Sequence, residues 1–168
     1  MSTNHTIDCP SCSSIKAAPA ADAKDVRLTQ WPIQIKLIGT VAPFLQDADL
    51  LVAADCTAFA APGFHERFLP GKKVLIGCPK LDNGMEYVNK FAEIFSNNAI
   101  RQVTCLRMEV PCCGGIVMAA RQALVASGKD IPFHGTDCHH GNEQNTQYRG
   151  NYRERTFHRC SDQPHVLP

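Results

Sequence analysis

The chain has 168 residues, enough for one domain with a sizeable core, and 17 Lys and Arg against 16 Asp and Glu leave a net charge of +1. That balance excludes a broad electrostatic footprint for nucleic acid or a membrane surface, and no apolar run approaches the roughly 20 residues of a membrane helix. No cationic stretch followed by an apolar core opens the sequence, so no secretory signal is expected. Nine cysteines, an odd number, then read as metal ligands or redox groups in a reducing cytoplasm rather than as a disulfide framework.

Residues 1–27 lack an apolar period and read as a flexible segment. They contain a CxxC, Cys9-Pro-Ser-Cys12, and a small-residue linker from Ala17 to Ala23. The pair reads either as metal-ligating or dithiol cysteines or as ordinary exposed ones. Trp31 to Gly39 alternates Ile33, Ile35 and Leu37 with Gln34, Lys36 and Ile38, which predicts a strand near a sheet edge. Trp31 is expected in core or interface packing. Ala42 to Ala48 predicts a short helix.

Asp49 to Asp55 is a continuous apolar run, as expected of a parallel strand covered on both faces, and Cys56 follows it. Gly63 to Leu69 predicts a short amphipathic helix with Phe64 and Phe68 on one face, stopped by Pro70-Gly71; His65 reads as a solvated helix residue. Val74 to Gly77 is a second buried strand that ends on Cys78-Pro79. Met85 to Asn97 follows as a helix with Met85, Val88, Phe91, Ala92 and Phe95 at core spacing. Val103 to Val110 is the third buried strand, with Cys105 inside it as a small hydrophobe. Next come Pro111-Cys112-Cys113-Gly114-Gly115, a helix from Ile116 to Ser127 ended by Gly128, and a last short strand from Ile131 to Gly135.

From residue 137 onward the chain turns polar and reads as a mobile tail. Its Cys138, His139, His140, His158, Cys160 and His165 could catch a metal adventitiously. The pattern as a whole predicts an α/β domain over residues 28–136, a flavodoxin-like three-layer sandwich with a mainly parallel sheet.

Three strands that each end on cysteine would bring Cys56, Cys78, Cys112 and Cys113 to one rim, because neighbouring loops of a doubly wound sheet converge beyond the carboxyl ends. Four thiolates there can hold a 4Fe-4S cluster or a tetrahedral zinc. The spread of ligands over three strand ends, rather than two tight knuckles, favours the cluster. Gly77, Gly114 and Gly115 would clear side chains from the sulfurs and let backbone N–H groups approach. The helix beginning near Gly114 would turn its positive end to the same rim. Cys9 and Cys12 are held in reserve as further metal ligands. A different class of reading is thiol catalysis at Cys112 or Cys113 with the pKa lowered by the helix N-terminus, for which Asp55, His65 and Glu109 offer no diagnostic base spacing. No GxGxxG after a first strand and no P-loop is present.

Trp31-Pro-Ile-Gln-Ile-Lys-Leu, Ala48-Asp-Leu-Leu-Val-Ala-Ala-Asp-Cys-Thr-Ala, Phe64-His-Glu-Arg-Phe, Ile76-Gly-Cys-Pro-Lys-Leu-Asp82 and Arg107-Met-Glu-Val-Pro-Cys-Cys-Gly-Gly115 carry a resemblance. Over residues 28 to 135 the chain resembles the C-terminal domain of an uncharacterised family of anaerobe ferredoxin-type 4Fe-4S cluster-binding proteins. The family's N-terminal two-cluster ferredoxin module has no counterpart here, and Cys9-Pro-Ser-Cys12 looks like a remnant of a Cys-rich segment. The resemblance implies Cys56, Cys78, Cys112 and Cys113 on the matching positions. A looser analogy of architecture links it to the cluster-bearing small subunits of nickel–iron hydrogenases and respiratory complex I. The expected function is electron transfer through a 4Fe-4S cluster to a redox partner protein such as a ferredoxin. A thiol redox enzyme and a zinc-stabilised interaction domain are the alternatives.

Overall fold

Apolar runs too short for helices and too continuous for half-exposed strands assemble here into a parallel sheet buried on both sides. The computed structural model describes residues 27–138 and the backbone of Phe157–Arg159. Strands β1 (Asp49–Ala54), β2 (Lys72–Gly77), β3 (Gln102–Met108), β4 (Phe133–Cys138) and β5 (Phe157–Arg159) stand in the order β2-β1-β3-β4-β5. Every neighbouring pair is parallel. This is the flavodoxin strand order.

The helices are α1 (Thr57–Ala60), α2 (Phe64–Phe68), α3 (Gly84–Asn97) and α4 (Gly114–Ser127). Phe64, Phe68 and Leu69 bury against Leu51, Ala53, Leu106 and Met108 on one face of the sheet. Tyr87, Phe91, Ile94, Phe95, Ile116 and Ala120 bury against Leu50, Val52, Val103 and Cys105 on the other. The chain steps one way across the sheet from β1 to β2, and the other way from β2 to β3 and β4. Right-handed crossovers therefore send α1 and α2 to one face and α3 and α4 to the opposite face. The carboxyl ends of β1 and β3 are the point where these paths diverge.

Local chemistry sets the helix ends. The Asn83 side chain accepts from the Met85 N–H at 3.0 Å and caps α3. Gly128, at φ 66°, ends α4 in the left-handed conformation.

The sequence reading fails at residues 31–39. Only Gln34 bridges β2, opposite Ile76, and Ile35–Leu37 forms a 3-10 turn. A repeat of three residues buries Ile35 and Ile38 and leaves Leu37 63% exposed, where alternation would have buried Leu37 with Ile35. Trp31, preceding a cis Pro32, is 54% exposed rather than in the core. The segment has another task, covering the free edge of β2. Gln30 Nε2 donates to Val74 O at 2.6 Å, and the Ile76 N–H donates to Ile33 O at 2.8 Å.

Residues 43–45 form a 3-10 turn where a short helix was expected. The last strand lies later than expected, running through Cys138, and the region read as a tail supplies β5. Polar sequence hid β5 and the second half of β4, Thr136 to Cys138, while the expected strand at residues 131–135 overlaps its first half.

Candidate functional site: the carboxyl rim of the sheet

Cys56 and Cys78 stand within two residues of the ends of β1 and β2, and Cys112 and Cys113 come after a short link from the end of β3. Cys56 starts the α1 turn after β1, its carbonyl accepting from Ala60 N at 3.0 Å. Cys78 follows β2, and its carbonyl accepts from Leu81 and Asp82 N–H groups at 3.2 and 2.9 Å. Cys112 and Cys113 lie in a 3-10 turn, Pro111–Cys113, that leads directly into α4. Since β2, β1 and β3 are adjacent, the three thiol-bearing loops share one rim. Cys56 and the Cys112-Cys113 turn flank the crevice at the switch point, where ligands bind in open α/β sheets.

Cys56 and Cys112 are exposed, Cys78 is half-buried and Cys113 is buried. Burial pushes the Cys113 thiol up. The Met108 backbone opposes this, while neighbouring Cys112 and the thiol of Cys56 push it further.

Cys78 comes from the far side of β1, and Gly115 lets its loop close in. A Cβ on Gly115 would stand 3.0 Å from Pro79 Cβ, so the Cys78-Pro79 loop touches the start of α4. The space beside Gly114 is claimed by Arg107, whose Nη1 would lie 3.3 Å from an added Cβ. The two glycines thus serve contact between loops and with Arg107, where the sequence suggested room beside the sulfurs. Arg107 in turn forks onto Asp137 of β4, Nε to Oδ1 at 2.6 Å and Nη2 to Oδ2 at 3.2 Å.

Among the described residues, no three Cys, His, Asp or Glu side chains are grouped closely enough to hold a metal ion. The rim offers a row of thiols rather than a closed cage. Cys9, Cys12, His139, His140, Cys160 and His165 lie outside the described residues, as does the side chain of His158. Cys105 is fully buried in mid-strand, as its position implied.

Two features escaped the sequence reading. Cys138, buried at the carboxyl end of β4, adds a fourth strand end bearing a thiol, and it shares an apolar cluster with Cys113 and Met108. A polar group also sits at the end of β2. Tyr87 donates to Asp82 Oδ2, Lys36 Nζ lies 2.9 Å from Asp82 Oδ1 and 3.4 Å from Glu86, and Asp55 stands nearby. Burial, then the Asp82 charge, raises the Asp55 carboxyl above its usual range. Burial, then Asp82, raises the Tyr87 hydroxyl. The spacing Tyr87, Phe91, Ile94, Phe95 was a readable core stripe that would have found Tyr87.

Fold and rim together define a doubly wound α/β domain with cysteines at its topological switch point. The chain belongs to the Rossmann-like domain family, which it matches over residues 42–142. It is 31% identical over 100 residues to an uncharacterized protein of Archaeoglobus fulgidus, a match that covers 60% of this chain and 70% of that relative. No solved structure matches it. Among the described residues no helix is long and apolar enough to cross a membrane.

Proposed function

We propose that the protein binds a 4Fe-4S cluster at the strand-end rim through Cys56, Cys78, Cys112 and Cys113, and exchanges single electrons with a redox partner protein in the cytoplasm. The observation that carries this reading is the succession of cysteines at the ends of three adjacent strands, two of them flanking the switch-point crevice. Thiolates are the donors such clusters take. Cluster irons sit at separate corners, so ligands arriving on separate loops suit a cluster better than a single ion. When bound, the cluster would supply one-electron redox chemistry. The chain's own residues would hold it, partly shield it through buried Cys113, and leave it open at exposed Cys56 and Cys112. Phe59, 95% exposed and one turn beyond Cys56, and Leu81, 83% exposed beyond Cys78, give that opening the apolar border a partner protein covers. The likeness to ferredoxin-type proteins in the sequence blocks above supports a ferredoxin as that partner.

The test is anaerobic reconstitution with iron and sulfide, followed by metal analysis and an absorption spectrum. About four irons per chain and a broad visible band are expected. Colourless protein that keeps no iron would end this reading.

A second reading has one observation behind it. Exposed Cys112 stands next to buried Cys113 in the turn before α4, and burial pushes the Cys113 thiol up, as in a pair with one attacking and one resolving thiol. Thiol–disulfide exchange retained by the metal-free protein and lost in Cys112→Ser would select it. The zinc-stabilised reading uses the same thiols, and metal analysis giving zinc without visible absorption would select it.

A further inference from the structure

We infer that Tyr87 and Asp82, braced by Lys36, are positioning residues for Cys78: they grip the main chain at the end of β2 and fix where its thiol stands on the rim. The purpose of this grip rests on the cluster reading above; its geometry does not.

Tyr87 is fully buried on α3, yet its hydroxyl reaches the carboxyl end of β2. It occupies the volume a side chain on Gly77 would need. A Cβ there would overlap the hydroxyl and stand 2.8 Å from both Tyr87 Cζ and Ile35 Cδ1. From that place the hydroxyl donates to Asp82 Oδ2, and the Asp82 N–H donates to Cys78 O at 2.9 Å. The main-chain carbonyl of Cys78 is therefore held by the residue that Tyr87 holds in turn.

Lys36 completes the clamp from a third element. Its ammonium lies 2.9 Å from Asp82 Oδ1, and its segment is itself tied to β2 where the Ile76 N–H donates to Ile33 O. A fully buried tyrosine whose one polar atom is spent on the loop after a strand does more than fill the core. It converts the position of α3 into the position of a thiol. An iron ligand must be held close to its productive geometry, and hydrogen bonds behind the ligand do this.

The experiment reads the grip directly, as the alkylation rate of Cys78 relative to Cys56 within one sample of reduced, cluster-free protein. Iodoacetamide is the reagent and mass mapping the readout. Tyr87→Phe keeps the ring and removes the hydroxyl; Asp82→Asn and Lys36→Met leave the core untouched. Loss of one ordinary hydrogen bond is worth about fivefold in a local opening equilibrium, so the Cys78 ratio should rise by about that factor in Tyr87→Phe and Asp82→Asn. Phe95→Leu, which loosens α3 away from the clamp, should leave the ratio alone. An unchanged ratio in folded Tyr87→Phe and Asp82→Asn overturns the inference, as does an equal rise in Phe95→Leu. Should Tyr87→Phe fail to fold, Asp82→Asn and Lys36→Met decide. With reconstituted protein, the same variants should lose iron or change the electron paramagnetic resonance spectrum of the reduced cluster. If the wild type takes up no iron, the cluster reading falls and the alkylation ratio still decides the clamp.

Discussion

Gly77→Ala is the substitution most tightly constrained by the geometry. The new methyl would overlap the Tyr87 hydroxyl and sit 2.8 Å from Tyr87 Cζ and Ile35 Cδ1. Neither neighbour can swing away, since Tyr87 and Ile35 are both fully buried. Overpacking of this kind costs about 1–3 kcal/mol. Displacing the hydroxyl also weakens a buried hydrogen bond to a carboxylate, adding about 1 kcal/mol. A loss of about 2–4 kcal/mol is expected by equilibrium urea unfolding, large against a total stability of about 5–15 kcal/mol but compatible with folding. Tyr87→Phe removes the nearest atom, so the Gly77→Ala/Tyr87→Phe double variant should be less destabilised than the sum of the single changes, by about 1 kcal/mol. Gly84→Ala is the matched control: nothing lies within 4 Å of its added Cβ, and helix propensity makes it neutral or slightly stabilising. If Gly77→Ala costs less than about 0.5 kcal/mol, the range of surface changes, Tyr87 does not reach the end of β2 and the clamp argument goes with it.

Cys56→Ser and Cys112→Ser should each lower iron retained after anaerobic reconstitution, whereas Cys105→Ala, buried in mid-strand away from the rim, should not; iron analysis per folded chain checks this. The Cys105 thiol is pushed up to about 12 by burial from 9.0. An unfolded chain gives up that proton while the folded one keeps it, so the stability held below pH 9 declines as pH rises toward 12. Cys105→Ala should flatten that part of the slope, measured by urea unfolding between about pH 8 and pH 10.5. Arg107→Met breaks the fork onto Asp137, a partly buried pair, and should cost about 1–3 kcal/mol, with Asp137→Asn, which keeps one acceptor, costing less.

The sheet was legible because its central strand is buried on both faces: Leu50 to Ala54 has no choice but to read as an apolar run, and Val103, Cys105 and Leu106 follow it in β3. The thiols at their ends were legible for the same reason, since a strand that ends abruptly on Cys-Pro or Pro-Cys-Cys-Gly-Gly announces its loop. What failed shares one cause, that composition does not carry register. Residues 33–38 alternate well enough for a strand, but the edge of β2 needs only one main-chain bridge before the chain turns, and the three-residue repeat of that turn selects Ile35 and Ile38 for the core. In β4, Thr136 and Asp137 look like loop residues, yet Asp137 has its partner in Arg107 one strand away, a pairing invisible without the register Arg107↔Asp137. That same misreading cut Cys138 off from the rim. Met85 was placed in the core stripe of α3 in place of Tyr87; it is exposed, because the stripe facing the sheet is set by where the helix enters, at the Asn83 cap.

Gly115 puts the connection between loops to a sharper test than any cysteine does. Cys78 lies one strand beyond β1 from the switch-point crevice, so its thiol belongs to the same site as Cys112 and Cys113 only if its loop leans across. Pro79 against the bare face of Gly115 is the contact that makes it lean. A Cβ at 3.0 Å from Pro79 Cβ demands a shift of a few tenths of an ångström, and Pro79, in a loop rather than a core, can give. Alanine also gains helix propensity at the start of α4, up to about 1 kcal/mol. The two effects oppose each other, so Gly115→Ala should leave the urea midpoint close to that of the wild type. Its effect should fall on the site instead. Iron uptake should drop, and crosslinking of Cys78 to Cys112 by a short bis-maleimide, which adds one thiol at each end, should slow in the metal-free protein. A Gly115→Ala protein that loads iron and crosslinks as the wild type does would mean that the loops after β2 and β3 do not depend on each other, and Cys78 would have to be removed from the site.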